Sequence, residues 1–376
     1  MRLSKIHLFA FFIIAAISVH SCALPDKYGA YEVMGPPVWS PDSQQIAFVA
    51  THGKNEKPFM NWEIYKVNVN GTGLTRLTDD PEMDIDPAWS PDSRRIIFYS
   101  NRKFKQQEGS ENCCGDLYAI NSDGSEQTQI SKDIGWAKNP QWSRSSNRVA
   151  FEAEGEIYAI NPDGSGLFKL VPLGNNKGES ITNYSPIWSP DGKRIAFKSN
   201  KLELIDANGT NRTQILSTSE DYAPSWSPNG KQIVYTRGIY TGDAKHGKTI
   251  NQVWLANTDG SGKPQKIADG ASAVWLHDSK RIAFSCPSKP QQDGSEEWFI
   301  CAMNSDGSNL TKLKPKVRFF AWSPDGKKIA FIPDSYPEVR LYVMNADGSE
   351  LLQLAGKPES SKHDKTGDNY EGFFFF

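Results

Sequence analysis

The chain has 376 residues, of which 23% are charged and 38% hydrophobic, with a mean hydropathy of -0.55 and a formal net charge of -2. This balance excludes a chain that is membrane-embedded throughout and a chain that is disordered in bulk. It also excludes a strongly basic surface, so no nucleic-acid partner is expected.

The first element is a predicted signal peptide, residues 1–22. Arg2 and Lys5 give it a positive start, and residues 6–19 are an apolar stretch too short to span a bilayer with ordinary flanks. The stretch ends in "VHSC", which resembles a bacterial lipoprotein signal in which Cys22 becomes the acylated first residue. The alternative is an ordinary secretory signal that is cut near Ala23. Both interpretations predict an extracytoplasmic protein, in the periplasm or as a lipoprotein of the outer membrane, that meets the membrane only through its lipid anchor.

A tryptophan-led motif then recurs seven times. Its copies read WSPDSQQIAF, WSPDSRRIIF, WSRSSNRVAF, WSPDGKRIAF, WSPNGKQIVY, WLHDSKRIAF and WSPDGKKIAF, and they begin at Trp39, Trp89, Trp142, Trp188, Trp226, Trp275 and Trp322. Successive copies lie 38 to 53 residues apart, which is typical of propellers and helical arrays. Because each unit of a repeat protein packs only on its neighbours, 376 residues do not require several domains.

Each repeat contains four short strand candidates and no strong helical periodicity. "SPDG" supplies turn residues between the first two strands, and "NxDGS" does so between the last two. A strand such as "RIAF" places Ile and Phe on one face and Ala on the other, which suits sheets stacked on both sides, with the Trp filling the gap between blades. The sequence therefore predicts an all-β fold, a seven-bladed β-propeller of four-stranded antiparallel blades, with six blades as the less favoured alternative.

The repeats assign residues 38–356 to the propeller. Residues 23–37 are a linker or a closing strand, since the segment 28–34 could pair beside the last blade; otherwise side-chain packing between the first and last blades closes the ring. Residues 357–376 are predicted to be a disordered tail. The tail ends in four Phe, which could dock on a partner or could mark an aberrant end of the reading frame.

These motifs resemble the TolB-type propeller repeats, a WD40-like family of bacterial envelope proteins. The resemblance covers about residues 38–354. It implies a protein of the bacterial envelope. TolB itself has a preceding α/β domain and six blades, which differ from this chain, so the partners of TolB are not carried over. Similar repeats occur in prolyl-oligopeptidase-type hydrolases, but this sequence contains no G-x-S-x-G nucleophile motif. A seven-bladed lyase relative uses a histidine-rich metal site, whereas the histidines after the leader, His52, His246, His277 and His363, are scattered.

The strand order predicts two unlike faces. The short first–second and third–fourth turns share one face, and the second–third and blade-to-blade connections share the other. The variable segments all belong to the second face: "THGKNEKPFMNW", "NRKFKQQEGSENCC", "RGIYTGDAKHGK" and "CPSKPQQDGSEE". Because loops on a rigid scaffold commonly carry function, a binding surface is expected there, although such loops are also often tolerated insertions.

Polar residues also lead into the predicted inner strands, beside the central channel. The candidate binding residues at this channel mouth are Asp84, Asp86, Asn139, Tyr184, Asp221, Tyr222 and Arg318. Converging carboxylates could hold Ca²⁺ through oxygen ligands, but the ligand spacing of a calcium loop is missing, so a hydrated polar funnel is favoured. No catalytic residue, metal ligand set or other cofactor is predicted.

The cysteines after the leader point to structure. Cys286 and Cys301 lie on two strands predicted to be adjacent, and an oxidising compartment permits a cross-strand disulfide between them. Cys113 and Cys114 are consecutive, which would strain a mutual bond, and no CxxC spacing indicates zinc.

The sequence thus favours a non-enzymatic monomeric propeller of the cell envelope that binds a protein or peptide through its variable-loop face. The alternative is a polysaccharide-acting enzyme or carbohydrate-binding protein with its site at the channel mouth. Clustered ionisable groups with shifted pKa values in the channel would favour the enzyme, and an apolar or aromatic ring around the mouth would favour binding.

Overall fold

The computed structural model describes residues 35–51, 62–102, 115–132, 134–176, 179–216, 218, 220–242, 248–288, 297–333 and 340–355. These residues form 29 β-strands and no α-helix. Accordingly, the described part of the chain offers no helix that is long and apolar enough to cross a membrane. The predicted signal peptide, the segment 28–34, Cys113, Cys114 and the phenylalanine-rich tail lie outside the described residues.

The first three blades each use four successive strands. Blade 1 contains β1 (Val38–Trp39), β2 (Gln45–Thr51), β3 (Trp62–Asn68) and β4 (Thr75–Arg76). Blade 2 contains β5 (Asp84–Trp89), β6 (Arg95–Ser100), β7 (Asp116–Asn121) and β8 (Thr128–Gln129). Blade 3 contains β9 (Lys138–Trp142), β10 (Val149–Ala153), β11 (Glu156–Ile160) and β12 (Phe168–Val171).

A small hairpin separates blades 3 and 4, formed by β13 (Gly174–Asn176) and β14 (Glu179–Ile181). Blade 4 contains β15 (Tyr184–Trp188), β16 (Arg194–Lys198), β17 (Leu202–Asp206) and β18 (Thr213–Gln214). Blade 5 contains β19 (Asp221–Trp226), β20 (Gln232–Thr241), β21 (Lys248–Asn257) and β22 (Gln265–Asp269).

Blades 6 and 7 share one long strand. Blade 6 contains β23 (Ala271–Trp275), β24 (Arg281–Pro287), β25 (Trp298–Asn304) and the first part of β26 (Thr311–Trp322). The last part of β26 begins blade 7, which continues through β27 (Lys328–Pro333), β28 (Leu341–Asn345) and β29 (Leu352–Ala355). The two blades therefore form one seven-stranded sheet, and the total of seven four-stranded antiparallel blades confirms the predicted fold.

Seven apolar clusters hold the ring together, one between each pair of neighbouring blades. The predicted two-sided strands produce them. In β16, Ile195 and Phe197 pack toward blade 3, whereas Ala196 packs toward blade 5. Alternating side chains of one strand thus serve two interfaces.

The tryptophan of the repeat fills the interface and also donates across it. Trp188 is 7% exposed, and its indole Nε1 donates to the carbonyl of Gln141 in blade 3 at 3.1 Å. In each such bond the acceptor is the residue just before the tryptophan of the previous blade. The same bond joins Trp89 to Val38, Trp142 to Ala88, Trp226 to Ile187 and Trp39 to Ala321.

Among the described residues, every blade is built from consecutive segments and no strand is exchanged between blades. Blade 1 meets blade 7 through a shared apolar cluster and through the bond from Trp39 to Ala321, 2.9 Å. The Asp325 amide also donates to the Ser43 hydroxyl at 3.1 Å. Packing between the first and last blades therefore closes the described ring.

Strand order defines two faces. The first strand of each blade is innermost, since β5, β9, β15 and β19 contact one another in succession. Each inner strand runs from the upper face, which carries the second–third and blade-to-blade connections, to the lower face, which carries the short turns. On the lower face, Gly192 closes the turn that begins at Ser189, with φ 66° as a left-handed glycine position requires.

Candidate functional site at the channel mouth

The seven predicted site residues all lie at the upper ends of inner strands, in β5, β9, β15, β19 and β26. Their exposure depends on how far each lies from the tryptophan that ends its strand. Of these seven residues, Asp84 and Asp221, five residues before the tryptophan, are buried and 0% exposed. The other five, three or four residues before it, retain accessible surface.

A β-bulge lies at this level in five consecutive blades, 2 to 6, although in blade 6 the bulge residue Ser272 is itself buried. The residue three before the tryptophan has a left-handed backbone in each, and the ladder register shifts beside it. These residues are Asp86, Asn139, Ser185, Ala223 and Ser272, with φ between 50° and 56°. Bulges commonly re-aim side chains near functional sites, and here each lies at the same position relative to the tryptophan of its blade.

Asp84 and Asp221, by contrast, are locked by arginines. Arg102 Nη2 lies 2.6 Å from Asp84 Oδ2, and burial raises the pKa of Asp84. Arg237 grips Asp221 with two bonds, Nε to Oδ1 at 2.6 Å and Nη2 to Oδ2 at 2.9 Å. Both carboxylates are 0% exposed, so they position strand ends and are not open to a ligand in this structure.

Asp86 and Asn139 belong to a polar cluster between blades 2, 3 and 4. The Asn139 amide donates to Asp86 Oδ2 at 3.4 Å, and its side-chain Nδ2 donates to Glu152 Oε1 at 2.5 Å. Lys138 Nζ lies 3.5 Å from the same Glu152 oxygen. The Ser185 amide donates to Glu152 Oε2 at 2.9 Å. One carboxylate thus ties the bulges of blades 3 and 4 together.

Glu152 is the main residue of this cluster that the sequence analysis missed. It is 2% exposed, on a strand whose neighbours are apolar, and burial raises its pKa. Burial also raises the pKa of Asp86, although part of the residue's surface remains accessible. The sequence does contain one indication of Glu152: "RVAFEA" has a charged residue in an otherwise apolar strand, whereas the equivalent strands read "RIAF" or "QIVY".

Lys198 marks the next interface. It occupies the same strand position in blade 4 as Glu152 in blade 3, and it is 2% exposed. Its Nζ lies 3.4 Å from the carbonyl of Thr218, and burial lowers its pKa, although nearby Asp221 opposes that shift. This lysine was not predicted as a site residue either, because "RIAFK" is typical of an ordinary strand with a charged end.

Glu63, at the upper start of β3, was also missed. Arg76 Nη2 at 2.7 Å and the Asp80 amide at 3.0 Å both donate to its Oε1. The Thr78 hydroxyl donates to its Oε2 at 2.6 Å. The carboxylate is 0% exposed, and burial raises the pKa of Glu63 to about 7. This group fastens β3 to the segment that leaves β4, so its role is structural.

Aromatic and cationic side chains complete the mouth. Tyr184 is partly exposed, and burial raises its pKa. Tyr222 donates through its hydroxyl to Asn251 Oδ1 at 2.7 Å, and burial raises its pKa to about 12. The Lys138 ammonium lies 5.0 Å from the ring centre of Trp136. Arg318, across the ring in blade 7, is exposed, with its guanidinium 5.6 Å from the Phe319 ring centre.

Metal chemistry has no visible support within the described ranges. They contain no group of three or more His, Cys, Asp or Glu placed to hold a metal ion. In the "NxDGS" turns, Asp123 Oδ1 accepts bonds from the Ser125 amide and hydroxyl at 2.9 and 2.6 Å, so the carboxylate supports its own hairpin. Calcium at the mouth, the less favoured alternative to a hydrated polar funnel, is not tested by these contacts.

The structure joins Cys286 on β24 to Cys301 on β25 by a disulfide, with Cα atoms 5.8 Å apart. Cys301 lies opposite Phe284 in the ladder, so the bridge runs diagonally between the strands. It is buried in the cluster between blades 5 and 6 and serves the scaffold.

The repeats also match a known family. Residues 106–270 match the TolB β-propeller domain family. The match covers the middle of the chain, and the seven-bladed architecture extends the same repeat over the described ring. The matched stretch therefore resembles the TolB β-propeller domain, and the described residues form a seven-bladed propeller. No curated protein matches the whole sequence significantly.

Solved structures show the same fold at low sequence identity. A puromycin-hydrolyzing peptidase of Mycobacterium tuberculosis matches with a TM-score of 0.58 and 11% identity, over 87% of this chain and 53% of that protein. An acylaminoacyl peptidase matches with a TM-score of 0.57 and 12% identity, over 86% and 52%. TolB from Acinetobacter baumannii matches with a TM-score of 0.46 and 15% identity, over 81% of this chain, which spans 62% of that protein. At these identities the likeness concerns the fold alone.

Proposed function

We propose that this TolB-like propeller is a non-enzymatic, extracytoplasmic protein that binds a protein or peptide partner through its upper face. The observation that supports the proposal is the run of five bulges around the channel mouth. Left-handed backbone at non-glycine residues costs free energy, about 1 kcal/mol or more each, and is usually retained where it serves a site.

The division of charges supports the same surface. Asp84 and Asp221 form ion pairs with arginines. Asp86, Asn139 and Tyr184, in contrast, keep accessible surface beside the channel. An accessible carboxylate, amide and phenol on a rigid scaffold suit a polypeptide, which presents both hydrogen-bonding groups and apolar side chains.

The experiment places a photo-crosslinking amino acid at Tyr184 or Arg318 and expresses each variant in its native cells. We expect one adduct of the same mass from both mouth positions, and we expect excess unlabelled protein to suppress it. Asp163, exposed on a turn of the lower face, is the matched control position. Equal adducts from Asp163, or none from either mouth position, would refute the proposal.

A second candidate function, action on a polysaccharide at the mouth, is favoured by one observation. Asp86 and Glu152 both have raised pKa values through burial, and Trp136 and Tyr184 lie in the same sector. Raised carboxyl pKa values are a property of acid catalysts, but also of structural networks such as this one. Release of reducing ends from envelope polysaccharide that Asp86→Asn abolishes would support the enzyme; no release from wild type would exclude it.

A further inference from the structure

The lower face carries charge in an arrangement that the upper-face function does not use. Its inner turns, which join the first and second strands of each blade, are residues 40–45, 90–95, 143–148, 189–194, 227–232, 276–281 and 323–328. Together these segments hold eleven Lys and Arg against five Asp. We call them the inner turn ring, because they surround the lower end of the channel.

The outer turns of the same face have the opposite sign. They are residues 68–73, 121–126, 161–166, 206–211, 257–262, 304–309 and 345–350, between the third and fourth strands. These segments hold eight Asp and Glu and neither Lys nor Arg. The lower face is therefore positive at its centre and negative at its rim.

The cations of the inner turn ring repeat at one position. The fifth residue after the tryptophan is exposed in every blade, and it is Arg94, Lys193, Lys231, Lys280 or Lys327 in five of them. Arg144 adds an exposed cation in blade 3. Within the described ranges no ion pair engages Arg94, Arg144, Lys193, Lys231 or Lys280, and Lys327 has only a 3.9 Å contact with Asp325.

Three of the five neighbouring aspartates, Asp42, Asp92 and Asp191, support their own turns and make no ion pair with these cations in the described part of the chain. Asp278 pairs with Arg281 at 2.7 Å, and Asp325 lies 3.9 Å from Lys327. Asp191 Oδ1 accepts from the Ser189 hydroxyl at 2.7 Å and from the Lys193 amide at 3.1 Å. The Ser189 hydrogen bond lowers the pKa of Asp191, so the carboxylate remains ionised while it holds the backbone. The Lys193 side chain is left to solvent.

The turns also abut one another, so the ring is preorganised. The Asp42 amide donates to the Ser93 hydroxyl of the next blade at 3.1 Å, and the Asp325 amide bonds Ser43 in the same way. Stacked sheets lie about 10 Å apart, which is close to one Debye length at physiological salt. The potentials of neighbouring cations therefore add at the centre of the face.

We propose that the inner turn ring is a second binding surface, and that it takes an acidic polypeptide segment. The occupant follows from the charge pattern. A flat anionic membrane would meet the acidic outer turns together with the basic centre, whereas a narrow acidic segment reaches the centre alone. Complementary charge of this kind contributes chiefly to encounter rate and specificity.

The test uses the full chain and a fluorescent decaglutamate peptide as probe. Lys193→Glu with Lys280→Glu reverses two ring charges, and Lys132→Glu with Lys201→Glu makes the same net change at exposed positions outside the inner turn ring. We expect saturable binding that weakens with salt, with Kd raised on the order of tenfold in the ring variant and less than twofold in the control. Equal urea midpoints establish that both variants are folded.

Three results would overturn the proposal. The first is that the wild-type protein does not bind the peptide, and the second is that both variants lose the same amount of peptide affinity. The third is that the wild-type protein binds vesicles containing anionic phospholipid in preference to the peptide, while the ring variant does not bind those vesicles. The last result would assign the ring to a membrane surface. The upper-face proposal is tested separately by cross-linking at Tyr184 and Arg318, which none of these variants replaces, so the two proposals fail separately.

Discussion

Replacing Trp188 with Ala should destabilise the propeller by about 3–5 kcal/mol, the usual range for removing a large aromatic core side chain. Trp188 is 7% exposed and packs against Ile157 and Leu170 of blade 3. The substitution also leaves the Gln141 carbonyl without the indole donor that reaches it at 3.1 Å, which adds on the order of 1 kcal/mol.

The hydrogen bond can be separated from the packing by Trp→Phe variants at two positions. Trp275 occupies the same place in blade 6, is 8% exposed, and has no hydrogen-bond partner for its Nε1 within the described residues. Trp188→Phe should therefore cost about 1 kcal/mol more than Trp275→Phe.

Circular dichroism during urea unfolding is the assay, because it does not depend on the fluorescence of the residue that is replaced. A per-residue unfolding entropy of about 2.1 cal/mol/K implies that 3–5 kcal/mol lowers Tm by roughly 4–7 °C for about 320 folded residues. A Trp188→Ala midpoint equal to that of wild type, or equal costs for the two Phe variants, would refute the reasoning.

Three other predictions use the same assay. Burial raises the pKa of Glu63 to about 7 from an ordinary value near 4.5, so its contribution to the free energy of unfolding is present at low pH and is lost as pH rises through 7. The wild-type protein should therefore lose stability between pH 4.5 and pH 8, and Glu63→Gln should remove up to about 3 kcal/mol of that loss. An unchanged pH profile of stability in the variant would contradict this. Arg237→Ala leaves Asp221 buried without its cation and should cost about 3–5 kcal/mol, whereas Arg237→Ala with Asp221→Asn should recover part of that loss; no recovery would argue against charge as the cause. Reduction of the Cys286–Cys301 bridge, or its replacement by two Ser, should cost about 2–4 kcal/mol, which a Tm equal under oxidising and reducing conditions would exclude.

The fold was predictable because its signal is repeated. Trp188 and the "SPDG" turn after it specify one interface and one turn, and six further copies repeat the specification. The propeller therefore did not depend on any single strand assignment. The shared strand β26 was not predictable, since nothing in "LTKLKPKVRFFAW" shows whether the chain breaks between blades 6 and 7.

The candidate site was predictable in place but not in detail. Inner strands begin at the upper face in any propeller, so Asp84 and Asp86 were correctly placed at that level. Asp84 is buried and Asp86 is partly exposed because of the bulge, which shifts the strand register by one residue between Ile85 and Ala88. Sequence patterns do not show such a shift, and Glu152 and Lys198 appear only as charged letters in apolar strands.

The buried charges around the mouth are better understood as positioning devices than as sources of stability. A buried ion pair gains little free energy over apolar residues of equal volume, because desolvation offsets the attraction. Arg237 and Asp221 nevertheless fix where β19 begins relative to β20, and Glu152 fixes the bulges of blades 3 and 4 relative to each other. An apolar replacement would fill the same space without choosing a register. If this is the role of the pairs, Glu152→Met should increase amide hydrogen exchange at Ser185, whose amide donates to the Glu152 carboxylate at 2.9 Å. Exchange unchanged at the Ser185 amide would show that packing alone sets the mouth.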